Sequence, residues 1–160
     1  MQRYQLIDAA QLVAAYAHAH YGARLDGTDL PMRVGSPARE LEARWPAQRY
    51  VFITAWNPAS LPRPDAANHD ADTRLVARLD AAGTARLAAW AQDADGLWRE
   101  PGWLLADVGV DEGVALARAF DQAGILTGQR GQPLRLRMIA ARPAELPVST
   151  DAEACIDWSS

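Results

Sequence analysis

The spacing of apolar residues changes period several times along the chain, and each change marks a predicted element. From Asp8 to about residue 20, Leu12 and Tyr16 fall on one helical stripe, extended by Ile7 before them and His20 after. Asp8 is placed to cap this helix and Gly22 to stop it. Residues 31–34, PMRV, predict a short strand. Ser36 as cap and Pro37 at the first position start a second helix, which runs to Trp45 with Leu41 and Trp45 inward. At Arg49 the pattern becomes a near-continuous apolar run, RYVFITAW, of the kind a covered central strand carries, and it stops at Asn57-Pro58.

Residues 65–82 form the clearest helix. Pro64 stands at its start, Ala71, Leu75, Leu79 and Ala82 make its stripe, and Gly83 follows as the stop. TARLAAWAQ (84–92) and WLLADVG (103–109) predict two strands joined through the turn DADG. A second helix is capped by Asp111, turns Val114, Leu116, Ala117 and Phe120 inward, and ends at Gly124. ILTG and LRLRMIAA are two further strands around the turn QRGQP, and Thr150-x-x-Glu153 has the form of a capping box for a short terminal helix. From residue 49 the order is strand, helix, strand, strand, helix, strand, strand, whose first six members are a split βαβ pattern. The expected fold is therefore α+β in one domain: a ferredoxin-like βαββαβ sheet (49–141) with helices on one face and an extra C-terminal strand, a helical N-terminal extension (1–48) and a tail (142–160).

In that topology the first strand, the start of the first helix, the hairpin and the end of the second helix share one pole. Trp56, Asn57, Asn68, Trp98, Glu100 and Gln122 would meet there. Asn68 lies on the sheet-facing stripe, three before Ala71 and seven before Leu75, so its amide must find partners. Asn57 and Glu100 both precede proline, which predicts extended backbone and presented side chains. Two accounts of the pole stand side by side. In one, its polar groups form a brace, with Glu100 paired to Arg63 or Arg99; in the other, they bind a ligand at a rigid loop end.

The segments TAWNPAS, AANHDADTRLVARL, WREPGWLLADVG and ALARAFDQAGIL, in that order, resemble the bacterial family catalogued as domain of unknown function 3293. The resemblance spans roughly residues 49–128. It implies small cytoplasmic proteins with a shared fold and a shared pole, and it names no substrate. The family's motif falls on Thr54, Trp56, Asn57, Pro58, Asn68, Leu75, Glu100, Pro101 and Gln122. After Gln122 the chain departs from the pattern, with Ala-Gly where Asn-Ala is expected.

Composition narrows the function classes. The chain has 160 residues, a net charge of −4 and no lysine beside its arginines, so the basic footprint of a nucleic-acid binder is missing. No membrane-spanning run or secretion leader is evident, and a cytoplasmic setting is expected. The single Cys155 excludes an internal disulfide and a cysteine-based zinc cluster. Asp65, His69 and Asp72 share a helical stripe, which more often is a solvated first turn than a metal site; no metal and no cofactor are expected. His18 and His20 point to different faces. Arg135 and Arg137 alternate on the last strand, as on an edge guarded by charge. Asp93 and Asp95 fit a turn better than an acid–base pair with Glu100.

No nucleophile or phosphate loop is present. Two functions remain: a non-catalytic module binding a small polar ligand or a protein segment at the pole, or a small enzyme with Glu100 as general acid or base and Asn57 and Asn68 orienting the substrate. The module is preferred, because catalysis needs a reacting group that the sequence does not supply.

Overall fold

The alternation that begins at His20 belongs to a strand rather than to the end of a helix. The computed structural model describes residues 8–160, so Ile7 lies outside the described residues. Helix α1 (Ala9–His18) is capped by Asp8, whose carboxylate accepts from the Gln11 amide at 2.8 Å. The backbone is extended at Ala19, and β1 (His20–Leu25) follows. Asp26 and Gly27, both at positive φ, make the two-residue turn into β2 (Thr28–Met32).

The remaining elements are α2 (Arg39–Arg44), β3 (Arg49–Ile53), a 3-10 turn (Pro58–Ser60), α3 (Asp65–Ala81), β4 (Arg86–Gln92), β5 (Arg99–Ala106), α4 (Val110–Ala119), β6 (Gly124–Gln129), β7 (Arg135–Met138), α5 (Thr150–Glu153) and β8 (Ile156–Trp158). Several caps shift from their expected positions. Ala38 rather than Ser36 precedes α2, Gly109 rather than Asp111 precedes α4, and Ser149 caps α5 by accepting from the Ala152 amide.

All eight strands join one sheet in the order β2-β1-β4-β5-β3-β6-β7-β8. Neighbours are antiparallel except β7 and β8. The expectation of a ferredoxin-like βαββαβ sheet with one extra strand and a helical N-terminal extension is overturned. The N-terminal segment lays two strands against β4, and the tail lays β8 against β7. With β8 outside it, β7 is not the edge: Arg135 bonds Asp157 at 2.8 Å and Arg137 lies 3.9 Å from the same carboxylate.

Twist accumulates across so broad a sheet, and it curls into a half-barrel. Its two sides meet where Val34, just beyond β2, bridges Leu134, just before β7. The Gly35 amide donates to the Leu134 carbonyl at 2.8 Å and the Leu134 amide to Ser36 at 3.0 Å.

Helices cover both faces, not one. The outer face buries Val51, Ile53, Leu105 and Ile125 against Leu75 and Leu79 of α3 and Leu116 and Phe120 of α4. The inner face buries Tyr21, Phe52, Leu104, Leu126 and Leu136 with Leu12 and Val13 of α1 and Leu41 of α2. Among the described residues no helix is long and apolar enough to cross a membrane.

Close aromatic–glycine packing sets the shape of this sheet. Gly22 is directly opposite Trp90, and Gly128 directly opposite Tyr50. A Cβ at Gly128 would stand 2.1 Å from the Tyr50 ring, whose hydroxyl is held by Glu42 at 3.0 Å. Gly128→Ala is therefore expected to lower the unfolding free energy in urea by roughly 1–3 kcal/mol, the usual cost of overpacking. Gly131→Ala, at a turn where nothing lies near the added methyl, separates this clash from strain at positive φ.

Candidate functional site

Beyond β3 the chain leaves the sheet through one hydroxyl. Thr54 donates to the Pro101 carbonyl at 2.7 Å and accepts from the Trp56 amide at 3.0 Å, which turns the backbone out of the strand. Asn57 then adopts φ 42°, ψ 68°, a left-handed conformation in place of the extended one its proline neighbour predicts. Ala59 and Ser60 are also at positive φ, 53° and 59°. Such backbone costs about 1–2 kcal/mol for a residue other than glycine, with asparagine penalised least.

Hydrogen bonds offset this cost. The Asn57 amide N–H donates to Asn68 Oδ1 and Asn68 Nδ2 donates back to Asn57 Oδ1, both at 2.9 Å. Arg63 binds the same pair, its amide donating to Asn57 Oδ1 at 3.2 Å and its Nε to Asn68 Oδ1 at 2.7 Å. Its Nη2 reaches the Ala55 carbonyl at 2.9 Å. Asn68 is 1% exposed and spends its carbonyl oxygen on this loop.

Asn57 Nδ2 donates to Glu100 Oε1 at 2.8 Å, and Gln122 Nε2 donates to the Trp56 carbonyl at 3.1 Å. The six residues expected at one pole are thus gathered there, but in different settings. Asn57 and Gln122 are buried. Trp56 packs edge-on against His69, with ring centroids 5.1 Å apart. Trp98 is half exposed near the tip of the β4–β5 hairpin, where its amide donates to the Asp93 carboxylate. The stripe Asp65, His69, Asp72 does not converge: Asp72 accepts from Trp103 Nε1 at 2.9 Å while His69 is held by Trp56.

Glu100 faces inward, opposite Ala91, and there the sheet does not fill its own curve. A cavity of about 280 Å³ lies between the inner face, α1 and the 57–62 loop. Phe52, Tyr21, Leu126 and Leu136 supply apolar wall, and Glu100, Asn57 and Gln122 supply polar wall. Asn68 does not line it; it stands behind Asn57.

Sequence reasoning missed two members. Tyr16 appeared only as a core position, and Ser60 not at all, yet their hydroxyls meet at 2.7 Å across the cavity wall. Tyr16 reaches the sheet because Gly124, the corner where the family pattern is broken, has no side chain: a Cβ there would lie 3.2 Å from the Tyr16 ring. The three positive-φ residues of the loop were not foreseeable from asparagine, alanine and serine.

Burial pushes the Glu100 carboxyl above its ordinary value of 4.5, and hydrogen bonds from Asn57 and then Trp98 hold it back. The Tyr16 hydroxyl is also raised by burial, with its bond to Ser60 opposing and the nearby Glu100 charge adding. Glu100 is paired with neither expected arginine. Arg63 is committed to the amide pair, and Arg99 lies over the Trp90 ring, 4.0 Å from its centroid, on the other face. Among the described residues no arginine or histidine lines the cavity.

The family model described as a protein of unknown function (DUF3293) matches residues 53–125, in keeping with the resemblance carried by the Trp-Asn-Pro and Trp-Arg-Glu-Pro motifs. The matched residues include every member of the polar network from Thr54 to Gln122. No curated protein and no solved structure matches the chain.

The amide pair and the carboxylate respond oppositely to mutation. Asn68→Ala strands the Asn57 amide and the Arg63 Nε, and is expected to cost at least about 2 kcal/mol in urea unfolding, since each orphaned buried donor costs roughly 1–3 kcal/mol. Glu100→Gln keeps an acceptor for Asn57 and removes a charge that burial disfavours. The native carboxyl binds its proton more tightly than the unfolded one, so the parent loses stability as pH rises above 4.5 through the raised native value. Glu100→Gln is therefore expected to be the more stable protein at pH 8, with the difference closing as pH falls below 4.5; unfolding measured across that range checks it.

Proposed function

We propose that this protein is a non-catalytic binding module that takes a small molecule into the inner-face cavity, with Glu100 and Asn57 as the polar anchor. One observation carries the reading: a half-buried carboxylate with no cationic partner among the described residues stands in the wall of an otherwise largely apolar hollow. Ligand sites have this build, concave and apolar with a few fixed polar groups. The anchor is preorganised, because the Asn57–Asn68 pair and Arg63 hold the amide that orients Glu100. The volume suits a small molecule rather than a protein segment.

A second reading, with Glu100 as general acid or base, draws support from its raised proton affinity. Asn57 would touch the substrate and Asn68 would position Asn57. This enzyme still lacks a reacting group. Ser60 is bonded to Tyr16, whose hydroxyl burial makes a weaker acid, so Tyr16 stays protonated and does not activate Ser60 as a base.

Ala91 lies on the inner face and lines the cavity, so Ala91→Phe places a ring in it. In a fragment screen by ligand-observed NMR, the parent is expected to give binders that Ala91→Phe loses at least about tenfold, while its circular dichroism stays native. Binders equally tight in Ala91→Phe, or none in the parent, overturn the proposal. Conversion of a bound fragment over hours, abolished in Glu100→Gln, would select the enzyme.

A further inference from the structure

We infer that the ligand is an organic amine, its ammonium group held by Glu100 and its flat apolar body lying against the wall formed by Phe52, Tyr21 and Leu126. This rests on the cavity being a binding site and names the chemistry that the site selects.

The charge balance of the wall is one-sided. Glu100 and Asp93 both line the cavity, and among the described residues no cationic side chain does. Arg63, next to the 57–62 loop, and Arg99, next to Glu100, are engaged away from it, Arg63 on Asn68 and the Ala55 carbonyl, Arg99 on Trp90. An anionic ligand would meet two carboxylates and no cationic side chain among the described residues to offset them. A neutral ligand would leave Glu100 with neutral donors alone, Asn57 Nδ2 and the Trp98 side chain. An ammonium supplies what a desolvated carboxylate lacks, a charge-assisted hydrogen bond.

Trp98 strengthens the assignment. It lines the same cavity as Glu100, is half exposed, and has no partner ring among the described aromatic pairs. An indole face beside a carboxylate is a surface on which an organic cation gains from both groups. The polar groups around Glu100 fit a donor-rich guest as well. Tyr16, Ser60 and Gln122, each with a side-chain oxygen able to accept, also line the cavity.

Size limits the guest. About 280 Å³ lies just below the roughly 300–1,000 Å³ of ordinary ligand pockets, which fits a body of one or two rings. Gly102 is part of the reason such a body fits flat. A Cβ there would stand 2.9 Å from the Phe52 ring, so its absence lets that ring lie down on the sheet.

Three probes with one shared body test the inference: tryptamine, 3-ethylindole and indole-3-acetate, titrated by calorimetry or NMR at pH 8 and low salt. Tryptamine is expected to bind at least about tenfold more tightly than 3-ethylindole, with indole-3-acetate the weakest. Glu100→Gln is expected to remove the tryptamine advantage and leave 3-ethylindole unchanged. Asp93→Asn, at the hairpin end, should weaken tryptamine by a smaller factor.

If 3-ethylindole or indole-3-acetate binds as tightly as tryptamine, the amine assignment fails and the cavity remains a site. If tryptamine leads but keeps its lead in Glu100→Gln, the assignment of the ammonium to Glu100 fails. If none of the three binds, and benzylamine and cyclohexylmethylamine do not either, the amine assignment fails; the binding site fails with it only if the fragment screen is also empty.

Discussion

The reciprocal amide pair between Asn57 and Asn68 is the contact on which the rest of this end of the molecule depends. Three left-handed residues within four positions would not hold their shape as a free loop. They do so because Asn68, fixed on the buried face of α3, both donates to and accepts from Asn57. With Asn57 held, its remaining N–H reaches Glu100, and Ser60 comes to rest against the Tyr16 hydroxyl. One buried amide thereby sets the carboxylate, the loop and the docking of α1. Brace and binding site are not alternatives here: the brace is what orients the site.

The cavity itself follows from the sheet. A sheet of eight strands cannot stay flat, and its curl gives an inner face that α1 and α2 cover only in part. Where covering is complete, as at Leu104, the residue is fully buried. Near Glu100 the cover is a loop and the first helix instead of a packed layer, and space remains. Glycines opposite aromatic rings let those rings lie against the backbone, so the inner wall is shallow at Gly102 and close to α1 at Gly124.

Much of the secondary structure was legible because its signals are local. Asp8 caps α1, Leu75 and Leu79 face the sheet, and Asp93 closes the hairpin with the Gly96 amide on its carbonyl. The sheet's extent was not. β1 and β2 are short and joined by Asp26-Gly27, a hairpin signal that stood in the sequence. It was masked because Gly22 looked like a helix stop; its true role is to leave room for Trp90. β8 has three residues, too few for a period to show, and exists because Arg135 and Arg137 draw Asp157 beside β7. At the site, the conflict between a half-buried position and a polar residue revealed Asn68, whereas Tyr16 passed as core because only the fold brings it to Ser60.

The division of the chain sharpens what the cavity requires. Glu100, Asn57, Ser60, Thr54 and Gln122 all fall within the DUF3293 match, while Tyr16, Tyr21, Leu126 and Leu136 lie outside it. The matched segment holds the polar anchor but cannot enclose it, since its own helices α3 and α4 lie on the outer face. Without β1 and α1, Glu100 would look into water, its proton affinity would return toward that of an exposed glutamate, and its attraction for a cation would be screened. The N-terminal segment thus does more than extend the sheet: it supplies the low-dielectric wall that makes one carboxylate able to discriminate between a charged guest and a neutral one.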